Sequence, residues 1–131
     1  MSLLFSVLYK IISAPIKLMI AGDDFARDRV KRIKKILDSD YSKENTFIFG
    51  AHIFTQYLIK FGLDEKLFSN ILDNDGRKIG ERLYGTDLIV KSPKILKDIE
   101  NPILVLKAAQ YNEEIKKDIL ENINPNTRFI V

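Results

Sequence analysis

Two apolar passages, each running into a turn, limit the folds open to this chain. They are Thr46-Phe-Ile-Phe-Gly-Ala-His-Ile-Phe-Thr55 and Phe68-Ser-Asn-Ile-Leu-Asp-Asn-Asp75. The first reads as a buried strand that passes through Gly50 into a helix. The second reads as another buried strand that ends in acidic residues. Apolar side chains at consecutive positions suit a strand covered on both faces, the condition of a parallel sheet. In doubly wound sheets of this kind, ligands sit beyond the carboxyl ends of the strands. These passages therefore locate a candidate crevice before any ligand is named.

The rest of the chain continues the alternation. A strand at 46–50 leads to a helix at 53–61, which Gly62 closes in a left-handed position. A strand at 68–73 ends in the turn composition Asp73-Asn-Asp-Gly76. Leu88-Ile-Val90 is a short apolar strand, and Ser92-Pro93 supplies an N-cap and first-turn proline for a short helix to Asp98. Pro102-Ile-Leu-Val-Leu106 is a further buried strand. Asn112 caps a helix to Glu121 whose buried side is Ile115, Ile119, Leu120 and Ile123, and Thr127-Arg-Phe-Ile-Val131 is the last strand. Five strands with helical or irregular crossovers predict a mostly parallel α/β sheet flanked by helices.

Two helices are expected before it, so that residues 1–43 form a helical arm and 44–131 the α/β domain. Residues 3–21 are strongly apolar, but Lys10 and Lys17 interrupt them and Pro15 should kink a helix through them. Ser6, Lys10, Ser13 and Lys17 fall on one stripe, which makes the segment amphipathic with a wide apolar face. It would pack on the domain, on a partner protein or on a second copy, or lie on a membrane surface. Gly22 is expected to separate it from a second helix, N-capped by Asp23 or Asp24, with Ala26, Val30, Ile33 and Leu37 as its apolar stripe. Arg27, Arg29, Lys31, Arg32, Lys34 and Lys35 cover the remainder. No aromatic residues are interleaved with these cations, so a solvated face is expected rather than nucleic-acid binding. Asp38 to Asn45 reads as a linker.

Charge is uneven along the chain. Residues 1–43 carry nine Lys/Arg against five Asp/Glu, a net +4, whereas 44–131 carry twelve against thirteen, a net −1. With no cysteine and a single histidine, His52, disulfides, thiolate zinc sites and histidine-rich metal sites are excluded. A cytoplasmic protein is the expectation.

The candidate binding residues come from three loops at the strand ends. The Gly50 turn lets backbone approach a phosphate or sugar through the amides of Ala51 and His52. It lacks Gly-x-Gly-x-x-Gly, since Phe54 stands in place of a small residue, and this argues against dinucleotide binding. His52 suits hydrogen bonding or acid/base work, and equally a polar helix start. Asp73, 23 residues after Gly50, is placed to accept from ribose hydroxyls or to form the turn with Asn74 and Asp75. Lys107, Gln110, Tyr111 and Asn112 could line a ligand beside the small Ala108 and Ala109, or merely start a helix. Leu83-Tyr-Gly-Thr-Asp87 is patterned beyond the needs of a core. No nucleophile with a base, no Gly-x-Ser-x-Gly elbow and no phosphate loop occurs, so no catalytic residue, metal or cofactor is assigned.

The ordered motifs Phe-Gly-Ala (49–51), Thr-Gln-Tyr-Leu (55–58), Ile-Leu-Asp-Asn-Asp (71–75), Lys-x-Gly (78–80), Tyr-Gly-Thr (84–86), Ser-Pro (92–93) and Tyr-Asn-Glu-Glu-Ile (111–115) carry a resemblance. Over residues 46–131 the chain resembles the C-terminal domain of S-adenosylmethionine-dependent sugar C-methyltransferases, which act on nucleotide-linked deoxysugars. The resemblance implies a Rossmann-like fold that helps hold the nucleotide-sugar. The family's cysteine-ligated zinc domain and methyltransferase domain have no counterpart here, and none of its catalytic residues carries over. His52-Ile53-Phe54 replaces the Lys-Gly pair that often follows Gly-Ala in the family.

The expected function is a nucleotide-sugar-binding module in surface-polysaccharide or deoxysugar metabolism, without a methyl-transfer site of its own. One alternative is a scaffold docking on a methyltransferase or glycosyltransferase, or on itself, through residues 3–21. Another is a small nucleotide-sugar-modifying transferase using His52 as base.

Overall fold

A computed structural model describes residues 16–37, 41–106 and 111–131. The expected helix over 3–15, residues 38–40 of the expected linker, and Lys107, Ala108, Ala109 and Gln110 lie outside the described residues. The chain forms α1 (Ile16–Leu37), β1 (Thr46–Phe49), α2 (Ile53–Lys60), β2 (Asn70–Leu72), β3 (Val90–Lys91), β4 (Ile103–Leu106), α3 (Asn112–Asn122) and β5 (Arg128–Ile130). Single 3₁₀ turns occupy Lys43–Asn45 and Glu65–Leu67, and a longer one Pro93–Asp98.

The five strands make one sheet in the order β3-β2-β1-β4-β5, and every neighbouring pair is parallel. The expected α/β, Rossmann-like architecture is therefore present, with its strands parallel throughout. From β1 the chain works outward through β2 to β3, then returns to β4 and continues the other way to β5. The direction reverses between β1 and β4, which makes their carboxyl ends the topological switch point.

Side-chain alternation sorts the strands' apolar residues into two cores. Ile48, Ile71, Val90, Ile103, Val105 and Ile130 face one way and pack with Leu58 of α2 and Ala26, Val30, Ile33 and Leu37 of α1. Phe47, Phe49, Leu72, Leu104 and Leu106 face the other way, onto Leu96 of the 3₁₀ segment and Ile119 of α3. All four residues of β1 and of β4 are buried, as the continuous apolar runs require of strands sandwiched between layers.

Three local expectations need correction. Gly22 does not divide the arm: α1 is continuous from Ile16 to Leu37. A helix-interior glycine costs about 1 kcal/mol, too little to stop propagation into a stripe docked on the sheet. Asp23 and Asp24 are consequently interior helix residues rather than caps. At α3 the cap position falls on Tyr111, which makes no side-chain capping bond, and Asn112 is the first helical residue. Leu120 is 38% exposed, while Ile115, Ile119 and Ile123 pack inward. Other signals have their expected roles. Gly62 sits at φ +109 with the Leu63 amide reaching back to the Leu58 carbonyl (2.9 Å), and the Ser92 hydroxyl accepts from the Lys94 amide. No described helix is long and apolar enough to cross a membrane.

Candidate functional site

The β1–α2 turn begins where the Gly50 amide donates to the Leu72 carbonyl (2.8 Å), extending the sheet one residue past β1. Gly50 has φ +117, and the His52 imidazole lies where a Cβ would project, so only glycine fits there. Its carbonyl accepts from the fully buried Thr55 hydroxyl (2.5 Å), which locks the turn onto α2.

Asp73 follows β2 directly and faces this turn. Its Oδ2 accepts from the Ala51 amide (2.9 Å) and its Oδ1 from the Asp75 amide (2.8 Å). Lys78 completes the node: its Nζ donates to the Ala51 carbonyl (2.8 Å) and lies 3.8 Å from Asp73 Oδ2. His52 is the N-cap of α2, with Nδ1 accepting from the Phe54 amide (3.3 Å). Two amides at the start of α2 thus have partners from the chain itself, and the carboxylate of Asp73 sits where the helix terminus favours an anion. A phosphate seeking the Ala51 amide has to displace Asp73. One nitrogen of the imidazole, Nδ1, is therefore an acceptor in a structural bond.

Farther along the same loop, the Arg77 guanidinium clasps Asp75 through Nε (3.1 Å) and a terminal nitrogen (2.9 Å). That hydrogen bonding, reinforced by the Arg77 amide, lowers the Asp75 carboxyl to a pKa of about 2.

Across the rim from this node is an open cleft of about 440 Å³ lined by Asn74, Tyr111, Glu114, Ile115 and Asp118. Asn74 belongs to the loop after β2. The others come from the start of α3, the element that follows β4, so the cleft joins loops on either side of the switch point. Tyr111, one of its lining residues, is 56% exposed. The cleft's volume falls within the roughly 300–1,000 Å³ usual for small-molecule sites. Its lining combines an amide, a phenol and two carboxylates with one apolar wall. That composition offers hydrogen bonds to hydroxyl groups and a ring to lie against a flat apolar face.

Of the candidate residues, Gly50, Ala51, His52 and Asp73 meet in one hydrogen-bonded node, and Tyr111 lines the cleft that starts at Asn74. Asn112 is adjacent to it, opening α3. Lys107 and Gln110 are outside the described residues. The sequence reading missed Lys78, Glu114, Ile115 and Asp118 as members of this edge. The last three had a readable signal: with Tyr111 they recur at i, i+3, i+4 and i+7, one face of a helix. Leu83–Asp87, by contrast, is a tight turn in which the Thr86 hydroxyl donates to the Leu83 carbonyl and accepts from the Leu88 amide. Among the described residues no group of three or more His, Asp or Glu side chains is gathered as a metal site would need.

Comparison with protein-family models, with curated protein sequences and with solved structures returns no match.

Proposed function

We propose that this chain is a cytoplasmic binding module for a nucleotide-linked sugar, held at the carboxyl edge of the sheet. The observation that carries the reading is the cleft between Asn74 and the first two turns of α3, open at the switch point where α/β sheets take ligands. In this reading the sugar ring lies against Tyr111, and its hydroxyls donate to Glu114 and Asp118 and bond with Asn74. Two carboxylates repel a pyrophosphate, so the nucleotide half is directed away from α3. The resemblance of the motif order to the substrate-holding domain of sugar C-methyltransferases supports the same ligand class. No residue with a methyl-transfer role is assigned.

Calorimetric titration with nucleoside diphosphates, with nucleotide-sugars and with the free sugars tests it. Nucleotide-sugars are expected to bind more tightly than the matching diphosphate, and amide shifts on binding should centre on Asn74, Tyr111, Glu114 and Asp118. Absence of heat at millimolar ligand, or shifts confined to another face, refutes it.

A further inference from the structure

The exposed side of α1 carries its charges in a definite order. The helix seats Ala26, Val30, Ile33 and Leu37 against the sheet, each between 1% and 4% exposed. At about 3.6 residues per turn, Asp24, Asp28, Lys31 and Lys35 recur at i, i+4, i+7 and i+11. They form one stripe on the side turned away from the buried four. All of them are exposed, and none forms an ion pair among the described residues. The two acids come first along the stripe and the two lysines last, with Arg32 beside them.

That order is unfavourable within a lone helix. Asp24 and Asp28 stand four residues apart, as do Lys31 and Lys35, and like charges at that spacing repel. The same order is complementary to itself when reversed. Two such helices laid antiparallel, about a two-fold axis passing between residues 29 and 30, set Asp24 against the partner's Lys35 and Asp28 against the partner's Lys31. Both pairs share that one centre, so a single register satisfies them together, and each occurs twice, as a two-fold contact requires. A lipid surface or a nucleic acid would meet the two acids along with the lysines, and like-charge juxtaposition selects against such partners.

We propose that the outward face of α1 is a contact surface for a second copy of this chain, the two helices packing antiparallel with their α/β domains on opposite sides. Exposed ion pairs are individually weak, so this dimer is weak and sensitive to salt. It is separate from the cleft and holds whether or not a nucleotide-sugar binds there.

Sedimentation equilibrium of the full chain tests it. A monomer–dimer equilibrium is expected at about 0.1 M salt, shifting to monomer toward about 1 M as the Debye length falls from about 10 to about 3 Å. Asp24→Lys/Asp28→Lys and Lys31→Glu/Lys35→Glu, each with an unchanged circular-dichroism spectrum, should each be monomeric. An equimolar mixture of these two variants should form a mixed dimer. Carbodiimide, which joins a carboxylate to an amine without a spacer, should link Asp24 to Lys35 in the unaltered chain. At about 1.5 Å per residue the two lie about 16 Å apart along one helix, so that link forms only between copies. A chain that is monomeric at every concentration, as a face built for a different protein would leave it, overturns the proposal. Self-association that ignores salt, persists in both variants or yields no Asp24–Lys35 link overturns it too. The salt series and the cross-link use the unaltered chain and read the outcome even where a variant fails to fold.

Discussion

Asp73 does in this chain what a bound anion does in many α/β proteins. Its two oxygens take the Ala51 and Asp75 amides, and Lys78 lies alongside, so one side chain joins the β1–α2 turn to the loop after β2. With only 14% of the side chain exposed, water replaces these bonds poorly. Asp73→Ala should therefore lower unfolding free energy by about 2–3 kcal/mol, the cost of stranding amides in a partly buried turn. Urea denaturation measures this, and a loss below a few tenths of a kcal/mol would show that the node does not hold the turn. Asp75 behaves differently because its partner is the exposed Arg77 guanidinium, while its own side chain is half-buried. Its folded pKa of about 2 lies below the roughly 3.9 of an unfolded aspartate. Its pairing with Arg77 is thus fully present above that unfolded value and is lost as pH falls through about 2. A carboxyl-detected NMR titration should give that midpoint, and Arg77→Ala should return it toward the ordinary aspartate range.

Asn124 joins the end of α3 to the 3₁₀ segment beneath the sheet. Its Nδ2 donates to the Leu96 and Ile99 carbonyls (2.8 and 2.9 Å), while its Oδ1 accepts from the Asn126 amide (2.9 Å), all with 6% exposure. Asn124→Ala leaves buried carbonyls without donors and should cost about 2–3 kcal/mol in a urea melt. Asn124→Asp should fare no better, since a carboxylate has no proton to offer those carbonyls at neutral pH. Nothing in the sequence marks the bonds of Asn124 to Leu96 and Ile99, because these partners lie 28 and 25 residues away. The features that could be read were the local ones. Gly62 and Ser92-Pro93 act through their own backbone, and the runs at 46–49 and 103–106 carry burial in composition alone. Gly22 was misread because the same local logic ignores what the rest of α1 gains by docking on the sheet. His52 and Asp73 were found by position, but their bonds to Phe54 and Ala51 were not, and the cleft pairs Asn74 with residues some forty positions on. Pairings across such distances are set by the order of strands in the sheet, which no window along the chain contains.

Among the described residues the sheet separates two apolar cores that share no side chain, one under α1 and α2, the other under α3 and the 3₁₀ segment. What couples them is the backbone of β1, β2, β4 and β5, whose alternate residues serve each side. Ile33 and Ile119 are each 1% exposed, one in either core. Truncating either to alanine should cost about 2–5 kcal/mol, the range for a buried isoleucine or leucine. Because the two sites have no common partner, Ile33→Ala/Ile119→Ala should lose the sum of the single losses to within about 0.5 kcal/mol. Unfolding should stay a single transition for all three variants, with circular dichroism and tyrosine fluorescence coinciding, since neither core survives loss of the strands between them. A separate early transition in Ile33→Ala alone would mean that α1 leaves the sheet while the other layer remains folded. The helix would then be a detachable arm rather than a wall of the domain, and the covering of Ile48, Ile71 and Val105 would depend on its return.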